Sequence, residues 1–251
     1  MSEVPIRWFE IGFNVIYLIA VWYIVVLMSR SMDTVAPKDR KVAGLVRMAF
    51  ILLAAGDTGH VGFRVLAYAL GGLEAQAVVL GSPMSLIGLG MLTTSITVTL
   101  FYMILVYIWQ ARNNQAANWA TNLLQIAGVV RLIIMALPSN DWGAAVPPQP
   151  MSLYRNLPLM VQGVGMIILF LLSAYRNHDT TFKWIGWMIA VSFAFYTPVI
   201  LFAQQVPMLG LLMIPKTCAY LAIAIFAYRG LWSQDLGISK SPEKQPSTLE
   251  S

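Results

Sequence analysis

The chain has 251 residues, of which 58% are hydrophobic and only 11% charged, and its mean hydropathy is +0.70. That balance excludes an ordinary soluble domain and points to an integral membrane protein. The net charge of +5 is explained below by the loops, and no nucleic-acid recognition module accompanies it.

Apolar stretches of roughly 20 residues or more can cross a hydrocarbon core of about 30 Å as helices. No series of alternating strands suggests a barrel, so the fold is expected to be all-α. Seven spans are predicted, at about 8–29, 43–71, 84–110, 118–138, 153–175, 184–204 and 208–232. They form one membrane domain, 1–232. The remainder, 233–251, is rich in Ser, Pro, Lys and Glu and reads as a disordered cytoplasmic tail.

The first span carries Glu10 and Asn14, lacks a basic leader and a small-residue cleavage site, and reads as a retained helix rather than a signal peptide. The second holds Asp57, His60 and Arg64, which fall within about 60° of one another on a helix and share a face. Each such group costs roughly 2.5–3.5 kcal/mol in hydrocarbon, so the stripe belongs against a protein interior or a watery cavity. Gly56, Gly59 and Gly62 interleave with it, and Gly88 and Gly90 open the third span. They predict close backbone approach.

The third span carries Thr93, Thr94, Ser95, Thr97 and Thr99, and the fourth carries Arg131 about six residues, or ~9 Å, before Leu137. A long connection with Asn140, Asp141 and Trp142 follows, readable as a lid or as an interfacial anchor. The fifth span adds Asn156 and Gln162, and the sixth Ser192, Tyr196, Thr197, Gln204 and a proline at 198. In the seventh, Pro215 precedes Lys216, which lies about eight residues or ~12 Å from the span's start. Cys218, the one cysteine, excludes an intramolecular disulfide and reads as a packing residue.

Basic residues set an orientation. Arg30, Lys38, Arg40, Lys41, Arg112, Arg176, Lys183, Arg229, Lys240 and Lys244 fall on one side, against Arg7 and Arg155 on the other. The positive-inside rule then places the protein in the plasma membrane with its N-terminus outside and C-terminus in the cytoplasm.

In that orientation Arg64, Arg131 and Lys216 share the outer half with one carboxylate of similar depth, Asp57. The expectation is a receptor-like protein with an outward-facing polar pocket for a small anionic ligand or a lipid head group. Arg64, Arg131 and Lys216 would attract the anion, Asp57 would fix a cation, and His60 would relay protonation. Thr97, Tyr196 and Gln204 would orient the guest. A structural ion-pair network joining Asp57 to Arg64 or Lys216 is the competing reading, as is snorkelling of the arginines.

Seven spans with the N-terminus out, Thr93-Thr94 in the third, Tyr196-Thr197-Pro198 in the sixth and Lys216 in the seventh are similar to microbial rhodopsins. The resemblance implies that Lys216 would carry retinal as a Schiff base, in a photoreceptor or ion pump, with the Tyr196 to Pro198 region as pocket wall. The third and seventh spans hold no carboxylate, so Asp57 would serve as counter-ion. An intramembrane lipid-processing enzyme using Asp57 and His60 as acid and base, or a small-solute transporter, are further alternatives. No metal-binding or nucleotide-binding motif is present, and the sequence leaves the oligomeric state open.

Overall fold

A computed structural model describes the backbone of residues 3–232 except 73, 80, 145 and 147, and their side chains from residue 11 onward, 82 and 207 excepted. The helices are α1 (Glu3–Arg30), α2 (Arg40–Ala69), α3 (Leu86–Asn113), α4 (Trp119–Ala136), α5 (Met151–Tyr154), α6 (Leu157–Arg176), α7 (Thr180–Phe202) and α8 (Met213–Leu231). Among the described residues seven helical segments are long and apolar enough to cross a membrane. This is a multi-pass, all-α membrane protein. The tail from Ser233 to Ser251, with Lys240 and Lys244, lies outside the described residues.

The segment ends follow local chemistry. At the end of α2, Gly71 and Gly72 adopt φ of 116° and 129°, and Gly72 N–H returns to Ala67 C=O at 2.9 Å, a left-handed closure that glycine accepts without strain. Asn118 and Thr121 form a reciprocal capping box on α4, and the Asp179 carboxylate accepts from Phe182 N–H at 3.1 Å to start α7. Pro198 lies inside α7 and leaves the Ala194 carbonyl without its helical donor. Pro215 falls in the first turn of α8, where its missing N–H costs nothing. The irregular stretch is instead the 3-10 turn Pro207–Leu212 just before it.

One short hairpin is an addition to the sequence reading. Strands β1 (Gln76–Val79) and β2 (Ser82–Ser85) pair antiparallel between α2 and α3. Gly81 turns the chain at φ 82°.

Consecutive long helices pack side by side, and α8 closes the ring against α1. Helix α3 also touches α6, so it runs through the middle of the bundle. The core along it is aromatic. Phe101 meets Phe50, Tyr102 and Tyr220 edge to face at centroid distances of 5.7, 5.5 and 5.7 Å, and Tyr102 meets Phe193 at 5.6 Å. These are the geometries that ring quadrupoles prefer. Indole N–H groups pin the end where α1 and α8 finish. Trp109 donates to Leu169 C=O at 2.9 Å, and Trp232 to Met28 C=O at 3.0 Å. We call this end the basic face and the opposite end the hairpin face.

Glycines decide how closely the helices pack. A Cβ on Gly163 would overlap the buried Phe193 ring, whereas one on Gly62 meets nothing within 4 Å. Gly163→Ala should therefore cost about 1–3 kcal/mol through overpacking, and Gly62→Ala should gain about 0.5–1 kcal/mol from helix propensity. Thermal unfolding of both variants in one detergent checks the contrast.

Candidate functional site

The stripe on α2 faces the bundle because the neighbouring glycines let α3 come close. A Cβ at Gly56 would overlap Thr97, one at Gly59 would lie 2.6 Å from the Thr93 methyl, and one at Gly90 would lie 3.1 Å from His60 C=O. This contact brings α3 hydroxyls to Asp57. Thr94 donates to Asp57 Oδ1 at 3.4 Å, while Tyr17 of α1 donates to Oδ2 at 2.8 Å. The carboxylate is thus held from two helices. His60 and Arg64, also half-buried, continue the stripe toward the hairpin face, and the His60 Nδ1 is buried without a hydrogen-bond partner.

Across the bundle, the half-buried Lys216 lies within electrostatic range of Asp57 and His60. Its ammonium rests on the Tyr196 ring at 3.9 Å from the centroid and stands 5.8 Å from that of Tyr220. A cation over an aromatic face gains roughly 0.5–2 kcal/mol, depending on desolvation. Tyr196 is itself packed edge to face on Phe193, at 6.4 Å.

Arg131 is only 2% exposed, and its guanidinium is used by the protein. Nε donates to Arg155 C=O at 2.9 Å, one Nη to Thr99 Oγ1 at 2.9 Å and Ser95 C=O at 3.5 Å, and the other to Asn156 Oδ1 at 3.3 Å. It fastens α4 to α3 and to the start of α6. Arg155, 5% exposed, lies over the Trp142 ring at 4.3 Å and donates to Asn140 Oδ1 at 3.5 Å. Both arginines are within electrostatic range of Tyr196.

The residues singled out from sequence therefore divide. Asp57, His60, Arg64, Tyr196 and Lys216 gather in the hairpin-face half, all partly accessible. Arg131 sits behind them with its donors turned to protein acceptors. Thr97 bonds back to Thr93 C=O at 3.0 Å, and Gln204 is exposed beyond the end of α7. The connection after α4 is fastened in place: Trp142 Nε1 donates to Met135 C=O at 2.9 Å, and Gly143 C=O accepts from Ser85 N–H at 3.1 Å. Sequence reasoning missed Tyr17 and Arg155. A tyrosine in an apolar helix reads as packing, and Arg155 reads as a loop cation; neither carries a local signal of its partner.

Among the described residues no ion pair reaches Arg131, Arg155 or Lys216, and no three His, Cys, Asp or Glu side chains gather as metal ligands. Within this half of the bundle Lys216 supplies a primary amine, the group that condenses with an aldehyde. Compared with known proteins, the chain matches no family model, no curated protein and no solved structure.

Two substitutions separate the supporting contacts. Arg131→Lys removes the fork and leaves buried acceptors unpaired, so it should lose about 2 kcal/mol or more. Tyr17→Phe removes one hydrogen bond to a carboxylate and should cost about 1–2 kcal/mol. Unfolding midpoints in detergent measure both.

Proposed function

We propose that the hairpin-face half of the bundle recognises a small oxyanion, a carboxylate or a phosphate, carried by a solute or by a lipid head group. One observation carries this reading. Lys216 stands over the Tyr196 ring, Arg131 and Arg155 lie within electrostatic range of it, and none of the three has an ion pair among the described residues, while the carboxylate within range of Lys216 is Asp57. Buried cations in low dielectric create a strong local field for an anion.

In this reading Lys216 and Arg64 contact the anion, and Tyr196 orients it through its hydroxyl. Asp57, held by Tyr17 and Thr94, steadies Lys216, and His60 lies between carboxylate and anion to follow their protonation. Arg131 acts chiefly by its charge, since four of its five N–H groups already have protein acceptors. The site opens to the outer side of the plasma membrane, the side the loop charges predict.

Inorganic phosphate, acetate and phosphatidylglycerol serve as probes. Native mass spectrometry of purified protein should show a retained adduct, and at least one probe should raise the unfolding midpoint. Saturation at about 100 times Kd adds about 2.7 kcal/mol. Lys216→Gln should weaken the effect at least tenfold. If no adduct is retained and no probe moves the midpoint, the oxyanion reading is wrong.

A second reading is favoured by Lys216 itself, an amine on an aromatic wall with a hydrogen-bonded carboxylate in range. That arrangement suits a retinal Schiff base with Asp57 as counter-ion. Reconstitution with retinal would then give a visible absorption band, absent in Lys216→Ala, and reduction would fix the added mass on Lys216. Failure to form any band at acid or alkaline pH removes this reading.

A further inference from the structure

At the basic face three connections converge on Arg112, in the last turn of α3. Its Nε donates to Asp179 Oδ2 at 2.7 Å and one Nη to Asp39 Oδ1 at 2.6 Å. The two aspartates precede α7 and α2, so one guanidinium ties three helices together. Asn177 Nδ2 adds a parallel tie to Asn113 Oδ1 at 2.9 Å. The aspartate side chains are only 7% and 14% exposed, which sets this bridge apart from the weak ion pairs of open surfaces. Outside it lies a polar cleft of about 670 Å³, lined among others by Lys38, Asn114, His178 and Thr181.

Inward of the bridge the lining turns apolar. Phe50, Leu105, Ile108, Phe170, Phe182 and Ile223 close round a void of about 10 Å³, no more than the ~10–15 Å³ one water needs. Phe182 belongs to both features, since the Arg112 guanidinium lies over its ring at 5.2 Å. Beyond this belt the Tyr102 and Tyr220 hydroxyls meet at 3.0 Å, and Tyr220 borders Lys216. Oxyanion site, tyrosine pair, apolar belt, arginine bridge and open cleft thus follow one another along α3.

We propose that this column is the path of an anion carrier working by alternating access, with the Arg112 bridge over Phe182 as its gate at the basic face. The identity of the cargo rests on the oxyanion reading above; the gate does not. Asp179 and Phe182 both begin α7, and Pro198 interrupts that helix nearer the hairpin face. A tilt of α7 about the proline would withdraw the carboxylate and the ring together, opening the belt to the cleft. Closure at the other end would accompany it, because a carrier exposes its site to one side at a time.

Thiol accessibility tests the gate without knowing the cargo. In a Cys218→Ser background, Ile108→Cys reports on the belt and Thr93→Cys on the hairpin-face half of α3. Full-length protein in vesicles of both orientations is treated with a membrane-impermeant maleimide. Arg112→Gln and, separately, Asp39→Asn should speed labelling at 108 at least tenfold, from the basic face alone, and slow labelling at 93. Unchanged rates at both positions would overturn the proposal, and so would faster labelling at both, which signals loosening of the bundle. Gel filtration verifies that each variant is folded, and phosphate, acetate and phosphatidylglycerol binding to the unmodified protein reports separately on the oxyanion reading.

Discussion

Close approach of α2 to α3 is the contact from which the rest of the bundle's chemistry follows. Gly56 and Gly59 admit Thr97 and Thr93, and Gly90 admits the backbone of His60. With the two helices this near, Asp57 reaches Thr94 while still lying close enough to α1 for the Tyr17 hydroxyl. The threonines at 93 and 97 return their own hydroxyls to backbone carbonyls, so they fill the seam without adding unpaired polar atoms. A wider seam would leave the carboxylate in hydrocarbon without its α3 donor. The polar site is therefore a product of small residues as much as of charged ones.

Much of the fold was legible in the sequence, because a span of about 20 apolar residues has few alternatives in a membrane. The hairpin was not. Its four-residue strands bury no continuous face, so alternation gives little to read, and Gly81 alone is a weak turn signal. Depth along the spans brought Asp57, His60, Arg64 and Lys216 to one half of the bundle. It did not distinguish side chains facing a shared space from those turned to protein acceptors. Arg131 shows why: at its depth a guanidinium can meet a guest or the carbonyls of Arg155 and Ser95, and the choice depends on where α6 begins. Thr97 shows the same limit on a smaller scale, since composition supplies a hydroxyl and helix geometry returns it to Thr93.

Charge is handled differently at the two ends of α3. At the basic face Arg112 meets two carboxylates at hydrogen-bond distance, so the bridge neutralises the cation and even adds a negative charge. Toward the hairpin face Arg131 and Arg155 are satisfied by neutral oxygens and by an indole ring. Such contacts supply hydrogen bonds without cancelling charge. Desolvating two guanidinium groups in this way is costly, and a structural role alone would be served by neutral donors such as Asn or Gln. The energetic cost makes sense if the field does something that the hydrogen bonds do not. An anion beside Lys216 would lower that cost while it is bound and restore it on leaving. Its binding energy would then be coupled to the packing of α3, α4 and α6 at Arg131, and so to the helix whose far end carries the Arg112 bridge.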